Sequence, residues 1–226
     1  MTQRILILTG RGRHEDLWHD HAASSAHLAQ ILRHIDGVDI VIRSSFADSL
    51  ADLAEYDLLV LNLSAPKPGY EAADLDPDAD FAPLYEGLDG WARSGGRILA
   101  VHQATLAFPD EPRYPEILGG RWVPDVSGHP PIGDMALTTT GEHPIIAGLP
   151  EVIAFDERYN RLAVIDGLEV LGQVDDDEGR PHPALWVNQT HGGTTVYSAL
   201  GHDDRSFASP THRCLLRAAA RWLLAQ

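Results

Sequence analysis

Three short, unbroken apolar runs constrain this chain more than any other feature: Ile5 to Leu8 within RILILT (4–9), Leu58 to Leu61 within YDLLVL (56–61) and Ile98 to Val101 within RILAVH (97–102). A strand with one wet face alternates apolar and polar residues, whereas a run apolar at every position is a strand covered on both faces. Between these runs lie Val38 to Ile42, which reads as another strand, and two stretches with helical spacing. Leu28, Ile31, Leu32 and Ile35 form one stripe, with His27 and His34 turned to water; Leu84, Leu88 and Trp91 form the other. This β-α-β-α-β alternation predicts an α/β fold with a mostly parallel central sheet, helices on both faces and right-handed crossovers. The expected order puts the first strand between the second and third. Loops following Thr9, Leu61 and Val101 would then border one crevice, placing His14, Asn62 and His102 in a common site.

The polar, Pro-rich stretch 64–80 reads as a surface excursion or flap. Beyond residue 110 the alternation weakens. The β-prone pieces MALTTT (135–140), GLEVLGQV (167–174), ALWVNQ (184–189) and TTVYSAL (194–200) are expected as antiparallel additions and the remaining strands of the sheet. At the end, Ser209 can cap a helix with Pro210 in its first turn and Leu215, Leu216, Ala219, Trp222 and Leu223 as its apolar stripe. One domain over 1–226 is expected.

Composition narrows the partners. Seventeen basic against thirty-three acidic residues give a net charge of −16, which repels a nucleic-acid backbone and favours a neutral or cationic ligand. The single cysteine, Cys214, excludes an intramolecular disulfide and fits a reducing compartment; within the last helix it reads as packing. The N-terminal apolar run has a strand's length, not a signal peptide's, and nothing approaches the roughly 20 apolar residues of a membrane span. A cytoplasmic protein without membrane contact is expected, with homo-oligomerisation left open.

Twelve histidines are the chemical resource of the chain. His102 stands where a buried strand stops, followed by Gln103. His202 repeats that arrangement after TTVYSAL, with Asp203 beside it to orient a ring or accept a sugar hydroxyl. His129 lies in the loop VSGHPP. Asp156, Glu157 and Tyr159, in FDERY, form an acidic cluster able to supply a general base. His143 reads as fixing a turn before Pro144, and His19, His21, His182 and His212 as surface or turn residues. Trp18, Trp122 and Tyr159 offer flat faces to a sugar ring. His14, His102, His129 and His202 together would suit zinc or another transition metal, although no HExxH spacing supports such a site. GRGRH at 10–14 falls short of GxGxxG, so a dinucleotide fingerprint is absent.

Read in order, LAVHQA (99–104), ILGGRW (117–122), SGH (127–129), HPIIAGLP (143–150), DERY (156–159) and LGHDDRSF (200–207) resemble the ThuA-like trehalose-utilisation family. That family shares its fold with class I glutamine amidotransferases. The resemblance spans most of the chain and implies a flavodoxin-like fold and a role with trehalose-type disaccharides or their keto-sugar derivatives. Where amidotransferases carry a nucleophilic cysteine after a central strand, this chain has His102, so glutamine hydrolysis through a thioester is not expected. Three functions follow as alternatives. The first is a sugar-processing hydrolase, lyase or isomerase, without a cofactor, in which His102 and His202 move protons while His129, His14, Asn62, Gln103, Trp122 and the acidic residues hold substrate. The second is a non-catalytic carbohydrate-binding or regulatory module, and the third a histidine-ligated, metal-dependent hydrolase.

Overall fold

The computed structural model describes residues 2–65 and 80–226. The expected 64–80 excursion therefore lies, from 66 to 79, outside the described residues. The elements run β1 (Gln3–Thr9), α1 (His21–Leu32), β2 (Val38–Ser44), β3 (Leu58–Asn62), α2 (Ala82–Arg93), β4 (Arg97–Val101), α3 (Tyr114–Leu118), β5 (Gly120–Arg121) and β6 (Gly133–Thr139). They continue with β7 (Val152–Asp156), β8 (Ala163–Val164), β9 (Glu169–Asp175), β10 (Pro181–Asn188), β11 (Thr194–Ser198), α4 (Asp204–Ala208) and α5 (Pro210–Leu224).

Nine strands form one sheet in the order β2-β1-β3-β4-β11-β10-β9-β6-β7, and β5 pairs with β8 in a small ribbon. The first five of these strands are mutually parallel, and each of the last four is antiparallel to its neighbour. The division follows from the side chains. Ile5 to Leu8, Leu58 to Leu61 and Ile98 to Val101 are fully buried, as strands between two helical layers must be. Residues of β6 alternate between covered and wet faces, which suits an antiparallel edge region.

Right-handed crossovers running in opposite directions from β1 and β3 put α1 and α2 on opposite faces. Two caps set the register of the helices: Asp20 accepts the Ala23 N–H at the start of α1, and Ser209 accepts the His212 N–H at the start of α5. The sheet curls at its antiparallel end until β7 lies against α4 and α5. There the Ile153 N–H donates to Thr211 at 2.9 Å and the Ile153 carbonyl accepts from Ser209. This curl brings the C-terminal end of β7 back beside those of β4 and β11.

Candidate metal centre

Four loops at the C-terminal ends of β1, β4, β7 and β11 supply one polar cluster. Their ligand atoms, on His19, His102, Glu157 and His202, all lie within 4.8 Å of one another. His19 Nε2 is 3.0 Å from His102 Nε2 and 2.9 Å from His202 Nδ1. The Glu157 carboxylate lies 3.4 Å from His102 Nε2, 3.2 Å from His202 Nδ1 and 3.9 Å from His19 Nε2.

Each ring is held from behind. His102 Nδ1 stands 2.7 Å from the Ala199 carbonyl, which can only accept, so that nitrogen carries the proton. His19 Nδ1 faces Asp16 at 2.9 Å, and Asp16 is itself fixed by the Gln103 amide at 2.7 Å and the Trp18 N–H at 2.9 Å. With both Nδ1 atoms protonated, two neutral rings aim bare Nε2 lone pairs at each other across 3.0 Å. That contact is repulsive unless a proton or a metal cation lies between them.

Charge favours such a cation. Burial opposes the ionised form of Glu157, but the surrounding His102, His19 and His202, which turn donor to it whenever they carry a proton, hold its carboxyl far below the usual range. Asp16 is likewise held low against burial by His19, Gln103 and Trp18. His19 is raised, its partners Asp16 and Glu157 outweighing burial. Buried Tyr159, its pKa pushed well above the ordinary value by burial and then by Glu157, keeps its proton and faces His102 Nε2 at 3.1 Å.

The backbone is strained where the cluster forms. His102 takes φ 46°, a left-handed conformation that costs a non-glycine residue about 1–3 kcal/mol. It opens a 3-10 turn, residues 102–106, anchored by the Tyr197 hydroxyl on the His102 carbonyl at 2.8 Å. Gly201 sits opposite with φ 139°, and a Cβ there would lie 3.3 Å from the Cβ of His102.

A cavity of about 340 Å³ opens over the cluster, lined by Trp18, Gln103, Trp122, His129 and Tyr159 together with three of the four cluster residues, His19, Glu157 and His202. The Gln103 carbonyl oxygen is buried without a partner among the described residues and can accept a hydrogen bond from a hydroxyl in the cavity. His129 reaches Glu157 at 3.4 Å through Nε2, while its Nδ1 donates to the Pro130 carbonyl.

His102, His202, His129, Gln103, Trp122, Glu157 and Tyr159 thus meet in one place. Four other sequence candidates lie elsewhere. His14 is buried edge-on against Phe81 and lines a separate cavity with Arg13 and Tyr85; burial lowers its pKa to about 4. Asn62 ends β3, but its amide bonds Ser24 and Ser25 of α1, each at 2.8 Å, so it fastens helix to strand. Asp203 caps α4 and pairs with Arg205. Asp156 is buried, accepting from Gly201 at 2.8 Å, from His202 at 3.2 Å and from Ser206, and so positions the His202 loop.

The cluster able to hold a metal also differs from the four histidines read from sequence. His14 and His129 drop out; Glu157 and His19 take their places. His19 looked like a surface residue because its loop carries no apolar pattern. A usable signal was Asp16 three residues before it, in the loop that must cross the strand ends. His21 and His212 are buried as well, and burial lowers the pKa of His21 to about 4.

Fold and site together define a flavodoxin-like α/β protein with an imidazole and carboxylate cluster at the C-terminal edge of its sheet. Residues 4–223 match the family described as ThuA, trehalose utilisation, and the chain belongs to that family. Its fold is similar to that of a ThuA-like protein from Parabacteroides merdae, 20% identical, covering 99% of this chain and 90% of that one with TM-score 0.75. A protein from Salmonella typhimurium named as cytoplasmic is 16% identical, covering 96% and 98%, with TM-score 0.66. A Rahnella β-galactosidase is 18% identical with TM-score 0.62, covering 98% of this chain but 31% of its own. No curated protein sequence matches the chain significantly. Among the described residues, no helix is long and apolar enough to cross a membrane.

Proposed function

We propose that this chain is a metal-dependent enzyme of carbohydrate metabolism, with a divalent transition metal, zinc first among them, held by His19, His102, His202 and Glu157. The observation that carries the reading is the pair of Nε2 atoms 3.0 Å apart, each ring fixed from behind as a lone-pair donor. Zinc–nitrogen bonds of about 2.0–2.1 Å put tetrahedral ligands about 3.3 Å apart, close to the spacing found. The Asp16–His19 pair is the outer-sphere carboxylate that histidine metal ligands ordinarily carry. Bound metal would polarise a sugar oxygen or acidify water. His129, on the cavity wall, exchanges protons with substrate, Tyr159 donates a hydrogen bond without giving up its proton, and Trp122 offers a ring face. The family's description, trehalose utilisation, supports a trehalose-type disaccharide as substrate, with its keto derivative as the alternative that proton transfer beside a carbonyl would use, and the Salmonella neighbour's name supports a cytoplasmic location.

A second reading keeps the pocket metal-free, with protons moving along Tyr159, His102, His19 and His202. The Tyr159 hydroxyl 3.1 Å from His102 favours it. Incubating metal-loaded protein with disaccharides and their keto derivatives, followed by NMR of the products, tests the first reading. Turnover should vanish with a chelator, return with metal and be absent in His102→Ala. Turnover indifferent to chelation supports the metal-free route. Saturable sugar binding without product would make the chain a binding module and refute both.

A further inference from the structure

Next to the polar cavity lies a second one of about 280 Å³, and the two share the side chains of Leu106 and Trp122. Its other walls include Ala107, Phe108, Pro109, Tyr114, Pro115 and Pro124. The polar groups among its lining are mostly spent. The Tyr114 hydroxyl donates to the Ala104 carbonyl at 2.8 Å, and Thr105 Oγ1 donates to the His102 carbonyl at 3.3 Å. Arg121 and Glu111 are its charged residues.

A second sugar ring would carry several hydroxyls into this space, and each one desolvated without a partner costs free energy. A flat apolar group would instead exchange water for aromatic and proline faces. Size agrees, since a dry cavity of about 150 Å³ already holds benzene. Backbone strain marks both compartments: Phe108, with φ 52°, is held left-handed just as His102 is, at opposite ends of one seven-residue stretch. His102 and Gln103 from that stretch face the polar cluster, Leu106 the boundary, and Phe108 the apolar space.

We infer that the apolar cavity is an aglycone subsite, so that beside disaccharides held in the polar cavity the site takes glycosides whose sugar lies over the His19, His102, His202 and Glu157 cluster and whose apolar, aromatic aglycone lies against Phe108, Tyr114 and Trp122. This rests on the proposed sugar chemistry for its polar half only; the apolar half stands on the cavity.

Calorimetric titration of metal-loaded protein with matched 4-nitrophenyl and methyl glycosides tests it, together with 4-nitrophenol alone on metal-stripped protein. The 4-nitrophenyl glycoside should bind at least about tenfold more tightly than the methyl glycoside. Ala107→Leu, which fills the apolar cavity without touching the cluster, should erase that preference and leave methyl glycoside affinity unchanged. Free 4-nitrophenol should bind stripped wild type and not Ala107→Leu. Should that variant fail to fold, saturation-transfer NMR on wild type decides: the nitrophenyl protons must receive saturation at least as strongly as the sugar protons. Equal affinity for the two glycosides, or a preference that survives Ala107→Leu, overturns the subsite. Binding of 4-nitrophenol with neither glycoside bound would leave the subsite standing and remove the sugar.

Discussion

At the scale of single residues, the cluster depends on groups that never touch a substrate. Asp16 fixes His19 through Nδ1, so Asp16→Asn should weaken metal affinity by about 10–100-fold while the fold persists, as read by competition with a chromophoric chelator. Unchanged affinity would remove Asp16 from the account. Gly201→Ala forces a side chain into φ 139° against His102 and should cost about 1–3 kcal/mol, visible as a lowered melting temperature together with reduced metal loading. His102 and His202 were legible in sequence because each follows a recognisable strand, which fixes where the loop must emerge. His19 was not, since its position depends on a tertiary contact with Asp16 and on a loop with no periodicity. Asp203 and Asn62 misled for a related reason: short polar side chains near strand ends serve as caps and clasps as readily as they serve ligands.

At the scale of elements, the buried runs carried the parallel half of the sheet, including the placement of β1 between β2 and β3. What periodicity could not reveal is the curl that returns β7 to the strand ends, because it rests on Ile153 bonding Thr211 and Ser209, residues more than fifty positions away. Asp156 then ties β7 to the loop between β11 and α4. Asp156→Asn leaves buried N–H donors facing a weaker, half-donor partner and should cost about 1–3 kcal/mol. Hydrogen exchange should accelerate at Gly201 and His202 while β1 and β3 stay protected. Uniform acceleration would show that Asp156 serves the whole fold and not this loop.

For the molecule as a whole, a net charge of −16 makes a cation at the cluster easier to hold and agrees with a neutral sugar ligand. Acid should destabilise the fold before the carboxylates titrate. His191 is buried with neither ring nitrogen partnered among the described residues, and burial, aided by Arg93, lowers its pKa from 6.5 to about 4; burial, aided by Arg13, lowers His14 to about 4. Between those values the unfolded chain binds more protons than the folded one. The stability contributed by these two groups is therefore complete above pH 6.5, falls as pH drops through the window and is gone by about pH 4, at up to about 3 kcal/mol for each group. Urea midpoints at pH 7 and pH 4.5 should show the drop, and His191→Leu should shrink it; a midpoint independent of pH would contradict the assignment.

Whether lone pairs from separate loops converge to hold a metal is read out by elemental analysis of protein purified without added metal and then reloaded with zinc. One equivalent per chain is expected, lost in His19→Ala and in His102→Ala but retained in His14→Ala. Protein that stays metal-free after reloading, or binds equally well without His19, would contradict it.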